Sequence, residues 1–158
     1  MKEAEQEPLD ATDRRLLQLL QEDASRSNQA LAVAAHVSAA TALRRVRRLV
    51  QAGVIERQLA LLGPQVAPTA LTAIVEVVLD RQGAEHLAAF EARAVADPAV
   101  QQCYRVSPGP DFVLVVWAAD MPAYQALVER LFTQDANVRN VKAYFSVQRA
   151  KFDPRVPL

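Results

Sequence analysis

Four arginines stand within five positions, at Arg44, Arg45, Arg47 and Arg48. They lie in a stretch reading Val37-Ser38-Ala39-Ala40-Thr41-Ala42-Leu43-Arg44-Arg45-Val46-Arg47-Arg48-Leu49. Guanidinium groups present fixed forks of N–H donors, which suit phosphate oxygens and guanine edges. At about 100° per residue, Ala42, Val46 and Leu49 share one helical face, while Ala40, Thr41, Arg44, Arg47, Arg48 and Gln51 spread over the other. Ser38 can cap this helix, with Val37 packing back on its start. Small residues in the first turn allow close approach to another surface. These are the requirements of a recognition helix in a major groove. Ala40, Thr41, Arg44 and Arg48 are then expected to face bases, Arg47 to meet phosphate, and Ser38 to sit at the DNA-proximal helix start. Arg45, on the flank of the apolar stripe, reads as structural or phosphate-bound. The competing reading is a solvated basic face, and the rest of the chain has to decide.

The 158 residues carry 18 basic and 18 acidic side chains, but the zero net charge hides a segregation. Residues 1–25 hold three basic against seven acidic groups, a net of −4. Residues 26–58 hold six against one, a net of +5, and the remainder nine against ten, a net of −1. One short segment thus concentrates the positive charge, as a nucleic-acid contact surface requires. Cys103 is the only cysteine, which excludes an intrachain disulfide and a cysteine-based zinc site. His36 and His86 are far apart and lack ligand-spaced partners, so neither a metal nor a cofactor is expected. The absence of a long apolar run or signal-like start predicts a cytoplasmic protein with no membrane partner.

Caps and periodicity also define the framework around the basic helix. Residues 1–8 are expected to be a disordered lead-in. Asp10 reads as an N-cap, paired with Asp13 as in a capping box, for a helix at about 11–22 carrying Leu16, Leu17 and Leu20 inward. Ser27 caps a second helix through Ala35, with Leu31 and Ala34 buried. A turn at His36-Val37 leads into the basic helix, which runs to Ala52 and stops at Gly53. Val54–Leu61 is a candidate short strand or wing. This predicts a winged helix-turn-helix over 9–62, a linker at 63–68, a second domain at 69–150 and a tail at 151–158.

The second domain reads as βαββαβ, a ferredoxin-like plan within an α+β fold. Strands are expected over Thr69–Leu79, Val100–Val106, Phe112–Trp117 and Val138–Gln148. One helix carries Leu87, Phe90 and Ala94 inward; the other starts near Pro122 and carries Tyr124, Leu127, Val128 and Leu131. Val100, Gln102, Tyr104 and Val106 are expected on one side of their strand, and Val141, Ala143, Phe145 and Val147 on one face of theirs. The plan leaves one sheet face uncovered although two strands are apolar on both faces. That predicts a partner, most simply a second copy of the chain.

Leu9-Asp10-Ala11-Thr12-Asp13-Arg14-Arg15-Leu16-Leu17 resembles the opening of the Lrp/AsnC (feast/famine) transcriptional regulators. The resemblance continues at Leu31-Ala32, Val37-Ser38, Arg44–Leu49, Gly53-Val54-Ile55, Tyr104–Ser107 and Asp111-Phe112, nearly the whole chain. It implies a DNA-binding unit that engages operator DNA, a ferredoxin-like effector-sensing unit, homodimers often assembled into octamers, and amino acids as effectors. In the family pattern the loop after the second sensing-domain strand usually reads Val-Thr-Gly-x-x-Asp-Tyr. Here Pro108 takes the glycine position and Pro110 is added, leaving fewer backbone donors. Ser107, Gly109 and Asp111 are the residues of this loop expected at an effector, with a plain rigid turn as the alternative. Two other functions compete. One is a tetrapyrrole (siroheme-type) decarboxylase of the same two-domain plan, which would need histidine and arginine in the second domain, where His86 is the only histidine. The other is a ligand-sensing module with weak DNA binding, against which the basic segment argues. The expectation is a regulator rather than an enzyme.

Overall fold

The computed structural model describes residues 8–158, so the expected lead-in lies, apart from Pro8, outside the described residues. The chain forms two compact units: a helical one from residues up to Leu61 together with Lys151–Leu158, and an α/β one from Leu62 to Ala150.

The helical unit contains α1 (Ala11–Glu22), α2 (Asn28–Ala34) and α3 (Ala39–Gln51). Each start is capped by a side chain: Asp10 Oδ1 accepts from Asp13 N at 2.8 Å, and the Ser27 and Ser38 hydroxyls accept from Ala30 N and Thr41 N, each at 3.2 Å. Each cap contributes about 1 kcal/mol. Leu16 and Leu19 of α1, Leu31 and Ala32 of α2, and Ala42 of α3 form the core, with Leu20 and Val46 packed at its margin. Leu19, absent from the expected stripe, is buried because α1 meets both other helices and so needs a wider apolar face.

Both α2 and α3 end in the same way. Val37 N donates to Ala32 O and His36 N to Val33 O, just as Val54 N donates to Leu49 O and Gly53 N to Val50 O. This is the paired 6→1 and 5→2 pattern that a left-handed residue closes. Gly53 fills that place with φ 71°, and His36 does so with φ 55°. Val54–Leu61 does not form the expected strand. Val54 and Ile55 both donate to the Leu49 carbonyl, folding the chain back over the helix end, and among the described residues the helical unit contains no strand for residues 56–61 to pair with. The tail belongs with the helical unit: Gln21 Nε2 donates to Val156 O at 3.0 Å, and its Oε1 accepts from Val156 N at 2.7 Å.

In the α/β unit a four-stranded antiparallel sheet has the order β2-β3-β1-β4, with β1 (Leu71–Leu79), β2 (Val100–Arg105), β3 (Phe112–Ala118) and β4 (Val138–Phe145). Helices α4 (Ala84–Ala96) and α5 (Met121–Val128) supply the cover of one face. Val75, Val77, Phe112, Leu114, Val116, Phe90 and Leu127 are fully buried there, each contributing about 2–3 kcal/mol. Asp120 caps α5 through Ala123 N at 2.8 Å. A π-helical turn, Glu129–Thr133, extends α5 and brings Phe132 inward beside Leu131. A strict 3.6-residue period foresees Leu131 but not Phe132, because the wider turn inserts one residue.

The alternation expected for Val100–Val106 breaks. Val100 pairs with Val116 but Gln102 pairs with Val115, so a bulge at Gln101 puts Val100 on the helix side and Gln102 and Tyr104 on the open face. On β4, Val141, Ala143 and Phe145 oppose Val77, Val75 and Ala73 and share their face, whereas Val147 lies beyond the strand and is fully exposed. Ile74, Val113, Val115, Trp117, Tyr104 and Tyr144 crowd the uncovered face. No described helix is long and apolar enough to cross a membrane.

Candidate nucleic-acid interface

Helix α3 is fixed along a narrow stripe: Ala42 is fully buried, Leu49 is 2% exposed and Val46 packs at the core margin. Its other side holds Ala40, Leu43, Arg44, Arg47, Arg48 and Gln51 around an open depression. Arg44 and Arg47 are exposed and make no hydrogen bond or ion pair with any described residue. Ser38 and Thr41 stand at the helix start, where the Ser38 hydroxyl also donates to Thr41 Oγ1 at 2.9 Å. Leu43 is the residue of this surface that sequence reasoning missed. Its signal was present, since it lies three residues from Ala40 and four from Arg47, on the same face.

The remaining two arginines direct guanidinium nitrogens back to α1 and its cap, although Arg48 still borders the depression. Arg45 Nη1 donates to Asp10 Oδ2 at 2.7 Å and to Asp13 Oδ1 at 2.9 Å, and Arg48 Nη2 donates to Asp13 Oδ2. Asp13 is 1% exposed, a charged side chain set in the interior of the helical unit. Its partners keep 21% and 37% of their side-chain surface, so the carboxylate is sealed beneath two guanidinium groups. Hydrogen bonds from Asp13 N and Arg45 hold the Asp10 carboxyl below the usual aspartate range, and the Asp10 and Asp13 carboxylates push Arg45 further up. Periodicity places Arg48 among the base-facing residues, but its guanidinium is engaged with α1. Arg45, expected as structural or phosphate-bound, spends its hydrogen bonds on α1 and the cap of α1. Periodicity gives the direction of a Cα–Cβ bond, and a side chain as long as arginine's can bend back to a buried opposite charge.

In the second unit, Asp111 N donates to Val77 O at 2.9 Å, and Asp111 Oδ2 accepts from Leu79 N at 2.7 Å and Gln82 Nε2 at 3.2 Å. This carboxylate pins the loop to β1. Ser107 is exposed, and Gly109, with φ 122°, forms the rim of a shallow depression of about 310 Å³ with Pro110, Glu76, Val78, Asn140 and Lys142. Glu76 and Lys142 sit directly opposite each other across β1 and β4. His86 lies 3.5 Å from Glu85 on α4. Among the described residues, no group of His, Cys, Asp and Glu is placed to hold a metal ion.

Residues 72–156 match the Lrp/AsnC ligand binding domain, and residues 9–56 match a winged helix-turn-helix DNA-binding domain. This chain belongs to the Lrp/AsnC family of transcriptional regulators. A leucine-responsive regulatory protein of Rhizobium meliloti is 36% identical over 143 residues, covering 90% of this chain and 92% of that protein. An AsnC family transcriptional regulator from Agrobacterium tumefaciens superposes with a TM-score of 0.85 at 30% identity, covering 94% of this chain and 97% of its own. A Neisseria meningitidis transcriptional regulator, solved as a complex with L-Met, gives 0.84 at 27% identity, covering 95% and 97%. As an Lrp/AsnC protein, the chain joins a DNA-binding helix-turn-helix to a ligand-binding α/β domain, and it acts in DNA-binding transcriptional regulation.

Proposed function

We propose that α3 lies in the major groove of operator DNA, with Arg44 reading a guanine edge and Arg47 on phosphate. Ala40, Thr41 and Leu43 fit close against the bases, where apolar groups can meet thymine methyls. The observation that carries this reading is the pair Arg44 and Arg47, exposed and without a described partner on a helix anchored by its opposite stripe. Ser38 stays with the helix start, where the unpaired amides and the helix dipole favour a phosphate. A second copy of the chain covers the open sheet face, since Ile74, Tyr104 and Tyr144 are each about half exposed in one contiguous apolar patch. Dimers then join into octamers, as the family resemblance implies.

The effector fits the depression beside Gly109. Its rim carries one acid, Glu76, and one base, Lys142, which match the ammonium and carboxylate of a free amino acid. The L-Met complex of the Neisseria meningitidis regulator supports that class. Asp111 serves such a site by fixing the loop rather than by touching the ligand. One titration tests both halves. Anisotropy of labelled duplex DNA is followed at rising salt and with single amino acids added. Affinity is expected to fall with salt by about 0.9 log units per log unit for each phosphate contacted, and at least one amino acid to shift the midpoint. A flat salt response would remove the DNA contact, and no shift with any amino acid would remove the effector site.

A further inference from the structure

The structure assigns Asp13, with Asp10, a part in DNA specificity: these carboxylates withhold Arg45 and Arg48 from phosphate, leaving Arg44 and Arg47 as the cations that α3 offers. This rests on the reading of α3 as the DNA-contacting helix. All four arginines sit on one 13-residue helix, and a guanidinium not engaged by an acid is a ready partner for phosphate. Phosphate contacts add affinity for every sequence alike, so four of them would raise non-specific binding without improving the choice of site. Three observations indicate that two are held back. Asp13 is almost completely buried, so its charge is compensated only while both guanidinium groups stay with it. Asp10, the cap of α1, takes a second bond from the same Arg45 nitrogen. Arg44 and Arg47 have no such acceptor among the described residues. Removing either arginine from Asp13 leaves a desolvated carboxylate short of a partner, a larger loss than an exposed phosphate contact returns.

Asp13 and Asp10 are therefore positioning residues, distinguishable from purely structural ones by a gain. The test compares the slope of log affinity against log salt on non-specific duplex DNA for the full-length wild type, Asp13→Asn, Arg45→Gln and the double variant, each first checked for a native thermal transition. Asp13→Asn is expected to steepen the slope by about one to two units as the freed arginines reach phosphate. It should also lower the ratio of operator to non-specific affinity. Adding Arg45→Gln should take back about one unit, whereas Arg45→Gln alone should leave the wild-type slope unchanged. Asp10→Asn, at a half-exposed side chain, provides the same readout at smaller amplitude if Asp13→Asn fails to fold. A slope that falls by about one unit in Arg45→Gln alone would overturn the inference, because Arg45 would already be on phosphate. So would an Asp13→Asn protein that loses operator and non-specific affinity in parallel at constant slope. A wild type with no salt dependence would instead count against DNA contact by α3.

Discussion

At the scale of single residues, the tightest constraint on the reading unit is the turn between α2 and α3, closed by His36 at φ 55°. That conformation costs a non-glycine residue about 1–2 kcal/mol, and glycine returns part of the gain through its freer unfolded chain. His36→Gly is therefore expected to stabilise the protein by about 0.5–1 kcal/mol, read from denaturant unfolding. A loss of stability would show that the imidazole makes compensating contacts. The sequence marked His36-Val37 as a turn, because a polar break separates two capped apolar patterns. It did not show that a histidine takes the place glycine takes at Gly53, since the sign of φ leaves no trace in hydrophobic periodicity. The arginines divide similarly. The exposure of Arg44 and Arg47 follows from helical phase alone, whereas the bond from Arg48 to α1 depends on a buried acid 35 positions away.

At the scale of elements, strands and helices with strong patterns appear where apolar spacing puts them, and departures occur where a ladder or helix gains one residue. The bulge at Gln101 and the π-turn after α5 each shift phase by one position, which sequence periodicity has no means to register. That π-turn carries Arg130, whose Nε donates to Asp97 Oδ2 at 2.6 Å and ties it to the end of α4. The Arg130 hydrogen bond holds the Asp97 carboxyl below the ordinary aspartate range despite its burial. A carboxyl lowered in the folded state adds stability that is complete above about pH 4 and is lost as pH falls through the folded value. Asp97→Asn should thus be less stable than wild type by about 1 kcal/mol at pH 6, a modest figure because Arg130 is half exposed. The gap between their melting temperatures should close as pH is lowered towards 3. A gap that stays constant with pH would place the effect in the polar contacts of Asp97 rather than in its charge.

At the scale of the whole molecule, the division of labour was readable from charge and pattern together: a +5 segment in a small helical unit, then an α/β unit with one uncovered face. The return of Lys151–Leu158 to the helical unit was not, because its hydrogen bonds use tail backbone and two glutamines without an apolar signature. If the open face joins two copies, two α3 helices read two half-sites related by symmetry. The most direct measurement is selection of bound sequences from a random duplex pool by the wild type and by Arg44→Ala. The expected wild-type result is a paired motif with half-site centres about 10 base pairs apart or a multiple of that. In Arg44→Ala, binding should weaken by about 1–3 kcal/mol, and preference should relax at the same single position in both half-sites. An unpaired motif, or an Arg44→Ala profile identical to the wild type, would contradict the assignment of α3 as the reading helix of a symmetric pair.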